Sequence, residues 1–355
     1  MIKMDLTTAI SVVLVQAYIF WRIATVAAVK RYISRRWLII VALALWVLFY
    51  AGFFGIYTPE WIITLVMIFL VVLAADIVSG FGFFLPRIAG QLRGIALAVG
   101  LVISVAALVQ GMRPPALHEH EVYLNGLPTE LDGTVLAAIS DIHADPLTKT
   151  SWLEARVEQL LEIRPDMIVL LGDILDSHGS NYDDLVQVLK TLNAPLGVWA
   201  VLGNHEYHGG FERNIEAFGK AGIRLLRNDW VEIRPEFVLA GVDYVGGRDQ
   251  ERQDEENFHL ALDDRPAGAT VLLSHAPVRA RQAESAGVEL MLSGHTHGGQ
   301  IWPLGYLVRR YYPLFAGRYE LGDMTVIVSR GAGTYGVRMR LWRVGEILRI
   351  TLRCE

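Results

Sequence analysis

Four runs in the first third of the chain are almost free of polar residues: 9–29, 37–57, 61–85 and 94–111. Each approaches the ~20 apolar residues a helix needs to cross a bilayer. Trp37, Tyr57 and Trp61 stand at run ends, where a membrane interface accepts aromatic rings. A cleaved signal sequence would account for the first run but not for three more. The pattern predicts an all-α membrane block of about four transmembrane helices over residues 1–112. Arg113-Pro114-Pro115 then breaks any helix, and the period of the pattern changes. Short apolar runs at 135–140, 167–171, 198–202, 271–274, 290–293 and 325–329 read as strands. They alternate with helix-like stretches at 151–163, 182–192, 211–221 and 278–286. Such alternation predicts a layered α/β domain with its chemistry at the C-terminal ends of strands. The expected organisation is an anchor over 1–112, a linker with a first strand over 113–134, and a catalytic domain over 135–355.

Charge sharpens this division. Residues 1–112 carry eight Lys/Arg and three Asp/Glu, a net +5, which leaves −10 for residues 113–355 out of the whole-chain −5. So acidic a domain is unsuited to nucleic acid, whose binding needs phosphate neutralised by Lys and Arg. Cys354 is the only cysteine, so neither a disulfide framework nor a thiolate metal site is available. Lys30, Arg31, Arg35, Arg36, Arg87 and Arg93 fall in the connections after the first and third runs. Positive-inside counting puts those connections in the cytoplasm and the large domain on the outer face of a bacterial inner membrane. Two ionisable residues, Arg22 and Asp76, lie within the runs. Either they pair, which reduces the cost of burying each, or Arg22 reaches to the headgroups.

The remaining polar pattern carries chemistry. Five groups each follow an apolar strand: Asp141-Ile142-His143, Gly172-Asp173-Ile174-Leu175-Asp176, Gly203-Asn204-His205-Glu206, His275, and Gly294-His295-Thr296-His297. Any one alone is unremarkable; five in order can converge on one edge of a sheet. Carboxylate oxygen and imidazole nitrogen together suit divalent Mn, Fe or Zn. His118-Glu119-His120-Glu121 also offers donors, but its alternation suits a strand with alternate residues exposed, and it reads as solvated surface.

The series D-x-H, G-D-x-x-D, G-N-H-E, H and G-H-x-H resembles the calcineurin-like metallophosphoesterases. Gly294–Ile301 and Ser329–Thr334 (SRGAGT) resemble its bacterial, often membrane-associated branch. The resemblance runs from about Val135 to the C-terminus. It implies two mixed β-sheets packed as a sandwich and flanked by helices. It also implies two divalent metal ions, one held by Asp141, His143 and His297 and the other by Asn204, His275 and His295, with Asp173 bridging. His205 would be the non-ligand histidine beside the leaving group, oriented by Asp176. The implied reaction is hydrolysis of a phosphodiester or pyrophosphate bond by a metal-activated hydroxide.

The substrate is less marked. Residues 302–319 follow the last histidines and interleave aromatic, aliphatic and Arg residues. The mix suits a surface dipping into lipid headgroups, or an ordinary packing loop with exposed arginines. With the anchor, it favours a phosphate-ester substrate linked to lipid. The alternatives are a phosphatase for soluble nucleotides or phosphoproteins, and a metal-bearing scaffold without catalysis.

Overall fold

The computed structural model describes residues 6–51, 60–144, 148–176, 182–208, 210–244 and 250–355. It divides into two compact units, one over residues 1–112 with 336–339, the other over 113–335 with 340–355.

The first unit is helical: α1 (Leu6–Ile23), α2 (Ala27–Tyr32), α3 (Arg35–Ala51), α4 (Glu60–Val78) and α5 (Ala89–Gly111). Among the described residues only α5 is long and apolar enough to cross a membrane. The apolar stretches of α1 and α4, Val13–Ile23 and Ile62–Val78, are shorter. Two chain breaks account for the difference from four full-length runs. The Thr25 hydroxyl donates to the Arg22 carbonyl where α1 ends. The Ser79 hydroxyl donates to the Asp76 carbonyl at the end of α4, ahead of a turn in which Gly80, Phe81 and Gly82 all have positive φ. The end of the second run falls in residues 52–59, outside the described residues.

The polarity of this unit is inverted relative to a water-soluble core. Asp76, Arg22, Arg93, Gln16 and Ser104 are buried, while Leu14, Ile77, Ile95, Leu101 and Val102 are exposed. Arg22 and Asp76 do pair, with Nε of Arg22 2.6 Å from Oδ2 of Asp76. Arg93 corrects the sequence reading. The helix α5 begins at Ala89 rather than near 94, so Arg93 lies in its second turn instead of a loop. There it reaches Oδ1 of Asp76 at 2.7 Å. It therefore drops out of the basic charge counted in that connection.

The second unit holds two six-stranded mixed sheets. The first, in spatial order, is β1 (Ala116–Leu124), β12 (Glu346–Cys354), β2 (Val135–Ile139), β3 (Met167–Leu170), β4 (Val198–Ala200) and β5 (Arg224–Leu225). In it β2 through β5 run parallel, and β12 is antiparallel to β2. The second sheet is ordered β10 (Gly317–Leu321), β11 (Met324–Val328), β9 (Leu290–Ser293), β8 (Ala269–Ser274), β7 (Phe237–Val242) and β6 (Asp229–Arg234). Its β11, β9, β8 and β7 are parallel.

Alternation along each strand builds three layers of core. Leu136 and Ala138 of β2 face Phe237, Val271 and Leu292 of the other sheet. Ala137 and Ile139 face outward onto α6 (Thr150–Glu162), α7 (Tyr182–Leu189) and, beyond the short α8 (Asn204–His208), α9 (Phe211–Lys220). The outer face of the second sheet is covered by α10 (Gln250–Leu262) and α11 (Ala280–Ser285). Strands buried on both faces read as unbroken apolar runs, which is why they stood out in the sequence. β1 alternates as expected for 118–121, with Leu117, Glu119 and Glu121 exposed.

Candidate metal centre

Each of the five strand-following groups sits just beyond the C-terminal end of a parallel strand. Asp141 and His143 follow β2, Asp173 and Asp176 follow β3, and Asn204 and His205 open α8 after β4. His275 follows β8, and His295 and His297 follow β9. The backbone ladder continues into these loops. The Asp141 amide donates to the Gly172 carbonyl at 3.0 Å and that of His143 to the Asp173 carbonyl at 2.9 Å. The chain then turns sharply: Asp141, His143, Asp173, His295 and His297 all have φ between 50° and 69°. Non-glycine residues rarely occupy this left-handed region, and clusters of them mark functional sites. Glycines allow the close approach. A Cβ on Gly203 would lie 2.2 Å from Oδ1 of Asp173, and one on Gly294 would lie 2.5 Å from Oδ2 of Asp141.

The side chains meet in overlapping clusters. Asp141, His143 and His297 bring their ligand atoms together in one. Asp173, His275 and His295 do so in a second, and a third grouping joins His143, Asp173 and His205. Nε2 of His143 faces Nε2 of His297 at 3.1 Å. Nε2 of His275 lies 3.2 Å from Nδ1 of His295 and 3.3 Å from Oδ1 of Asn204. Oδ2 of Asp173 stands between the two halves, 3.7 Å from Nε2 of His143 and 3.3 Å from Nε2 of His275.

Hydrogen bonds to the far ring nitrogens fix which atoms point inward. Nδ1 of His275 donates to the Leu171 carbonyl at 2.7 Å, so its Nε2 carries the lone pair when the ring is neutral. Nδ1 of His143 is 3.2 Å from both Asp176 oxygens. Nε2 of His295 is 2.9 Å from the Tyr312 hydroxyl, which leaves Nδ1 for the cluster. In their neutral forms the rings thus aim lone pairs at the carboxylate oxygens of each half. Such an arrangement calls for cations, and nitrogen and oxygen donors 3.1–3.3 Å apart match two ligands of one divalent ion. The residues fit the metals that the motif implies.

The buried carboxylates and imidazoles also shift one another strongly. Burial raises the Asp173 carboxyl, but the surrounding imidazoles of His275, His143 and His205 outweigh it and hold the group well below the usual carboxylate range. Burial lowers His275, yet the Asp173 carboxylate lifts it to about 10. His295 goes the other way, to about 3, through burial and then the charge on His275. Asp176 is raised by burial but brought to about 2 by hydrogen bonds from His143 and His205. Oδ1 of Asp176 lies 2.7 Å from Nδ1 of His205, so this one carboxylate positions both rings.

The sequence reading gave no role to several residues that build the site. Glu206 is fully buried, and its carboxylate accepts four backbone amides: Asp173 (2.9 Å), Ile174 (2.6 Å), Leu175 (3.2 Å) and Gly203 (2.7 Å). It stood in the G-N-H-E group, and a carboxylate one residue past a ligand loop was the available signal. Tyr335 sets its ring 5.1 Å from that of His205 and 5.4 Å from that of His143. Gln300 clamps the Tyr335 backbone at both its amide and its carbonyl. The buried Arg340 guanidinium donates to the carbonyls of Arg330 (2.8 Å), Gly331 (3.1 Å) and Gly333. Gly331 in turn packs on the Cβ of Asp141.

This fold and this donor set define a metal-dependent phosphoesterase. A profile of the calcineurin-like phosphoesterase family matches residues 134–299. The chain is 38% identical over 221 residues to an uncharacterized metallophosphoesterase of Aquifex aeolicus, covering 60% of this chain and 83% of that protein. It is 33% identical over 271 residues to a transmembrane protein with metallophosphoesterase domain from Danio rerio. A bovine protein of the same description is 32% identical over 287 residues. These two matches cover 73% of this chain, which spans 62% of the length of either relative. The chain belongs to the calcineurin-like metallophosphoesterase family.

Proposed function

We propose that the chain is a membrane-anchored dinuclear phosphohydrolase that cleaves a phosphodiester or pyrophosphate bond in a lipid-linked substrate. The observation that carries the catalytic half of this reading is the position of Asp173 between two sets of converging donors. Asp141, His143 and His297 would hold one divalent ion, Asn204, His275 and His295 the other, and Asp173 both. When bound, such ions would polarise phosphoryl oxygens and bring the pKa of water down toward neutral.

The protein's own groups do the rest. Asp176 receives the Nδ1–H of His205, sets the ring orientation and offsets the charge of the imidazolium form, whose Nε2–H would go to the departing oxygen. Glu206 holds the amides of the loop carrying Asp173 and thereby keeps that carboxylate in register. The third grouping, which includes His205, offers it as a ligand instead. The Asp176 contact favours the proton-transfer role, since one carboxylate then serves both a ligand and a non-ligand ring.

The inverted polarity of residues 6–112 supports the anchor. Buried charges that pair with one another beneath exposed aliphatic side chains suit a bilayer as solvent. Relatives described as transmembrane proteins point the same way. In this reading residues 1–112 are the anchor, built on about four spans, and residues 135–355 the catalytic domain. The basic connections, now without Arg93, still favour the outer face of a bacterial inner membrane for that domain.

The test is a metal-reconstituted assay of the full-length protein. It compares a soluble aryl phosphodiester, an aryl phosphomonoester and a lipid-linked pyrophosphate in mixed micelles. The lipid is expected to be cleaved best, and Asp173→Ala to abolish that activity. Equal cleavage of the soluble esters with the lipid ignored would replace this reading with a phosphatase for soluble substrates.

A further inference from the structure

The segment directly after the last histidines forms a seven-residue helix, α12 (Gly305–Tyr311), whose outer surface is unusual for a water-facing element. Trp302 is 50% exposed, Tyr306 68%, Leu307 65% and Tyr311 79%, and Arg309 and Arg310 are exposed beside them. Both ends are fixed. The backbone of Gly305 packs against Gly299 in the turn that carries His297. Just past the other end, the Tyr312 hydroxyl lies on His295. The helix is therefore a rigid projection from the rim of the centre. It exposes four large aromatic or aliphatic side chains within ten residues, where a soluble enzyme would show scattered single ones.

We infer that α12 docks on an anionic lipid bilayer. Charge selects the occupant. The helix α12 carries Arg309 and Arg310 and no acid, within a region, 113–355, of net −10. An anionic surface repels most of that region and attracts this segment, which orients the centre toward the lipid. The residue types agree, since Trp and Tyr partition to the headgroup level while Arg pairs with lipid phosphate. Connectivity helps as well: only Met112–Pro115 separate α5 from β1, so the enzyme is tethered close to any bilayer that α5 enters. The inference rests on the membrane reading above but not on the identity of the substrate.

The experiment is amide hydrogen exchange on the full-length protein in nanodiscs of phosphatidylcholine, with or without phosphatidylglycerol. Two surface arginines favour the docked state by about 30-fold at an anionic surface. Exchange of the peptide 302–312 should therefore be slower in the anionic discs by up to about that factor. Arg309→Ala/Arg310→Ala should remove the difference, and unchanged exchange of β8 and β9 would show that the fold persists. The inference is overturned by identical exchange in both kinds of disc. It is overturned equally by protection that survives the double variant, which would mean a protein covers the helix. If the chain does not enter discs at all, the membrane reading falls and this inference falls with it.

Discussion

The Tyr312 hydroxyl lies 2.9 Å from Nε2 of His295, on the ring edge opposite the nitrogen that faces His275. A ligating imidazole is held in its tautomer by the bond its other nitrogen makes, and loss of such a partner typically costs 10–100-fold in metal affinity. Tyr312→Phe should therefore weaken binding of one ion by about that factor and leave the other site intact. Metal titration by calorimetry, with two resolved sites, checks it. Affinities unchanged from wild type at both sites would show that the hydroxyl only fills space.

His205 and the ligand histidines make separable predictions. His205→Ala should keep both metals and slow turnover by about 10²–10⁴-fold, the range for loss of a general acid. Asp176→Ala removes the partner of both His143 and His205. It should lower metal content as well as turnover. Elemental analysis of the purified variants decides: a His205→Ala protein that has lost an ion makes His205 a ligand.

Glu206 tests how the ligand loop is held. Oε2 accepts the amides of Asp173 and Gly203, and Oε1 those of Ile174 and Leu175. Glutamine has the same shape but must turn its NH2 toward two of these donors. A buried donor without an acceptor costs about 1–3 kcal/mol. Glu206→Gln should therefore destabilise the protein by roughly 2–6 kcal/mol. Thermal unfolding with and without metal measures this, and a melting temperature equal to wild type would remove Glu206 from the scaffold.

A pH effect should arise away from the centre. Burial raises the Glu289 carboxyl to about 7, although the Thr270 amide and Arg265 pull the other way. The folded protein thus holds a proton there that the unfolded chain releases near its ordinary carboxylate pKa. The stabilising contribution is complete below that ordinary value and is lost as pH rises through about 7. Glu289→Gln stays neutral, so it should match wild type in melting temperature near pH 4 and exceed it at pH 8. Parallel curves for the two proteins across that range would show that Glu289 does not titrate there.

What the sequence made legible followed from local pattern. β2, β3, β8 and β9 are buried on both faces and read as apolar runs. The chemistry sits within the few residues that follow each strand, so strand and site were found together. What it hid depends on distant contacts. β12 lies between β1 and β2, a pairing more than 200 residues apart in the chain. Glu206 acts on amides 31 to 33 residues away, and no motif announces Tyr335 beside His143 and His205. Arg93 was misplaced for a simpler reason. Gln91 and Arg93 interrupt the apolar pattern, so the run reads from Gly94 although α5 starts at Ala89.

The Asp76 cluster is the point at which the helical unit is most exposed to a single change. Each carboxylate oxygen has its own arginine, Arg22 on Oδ2 and Arg93 on Oδ1, and the Tyr18 hydroxyl donates to Oδ2 as well. The Arg22 guanidinium also lies 3.7 Å from the centroid of the Trp21 ring, which disperses part of its charge. Removing one partner from a buried ion pair costs about 3–5 kcal/mol, because a charge is left buried without compensation. Here two would be left. Asp76→Leu should therefore lower the heat resistance of the full-length protein in detergent, read as the monodisperse fraction that survives heating. Replacing all three groups, Asp76→Leu with Arg22→Met and Arg93→Met, removes the stranded charges and should recover most of the loss. Recovery would identify a charge-compensation network. If the single variant resists heat as well as wild type, the three residues are not compensating one another. If the triple variant is as weak as the single, the cluster instead specifies how α1, α4 and α5 pack.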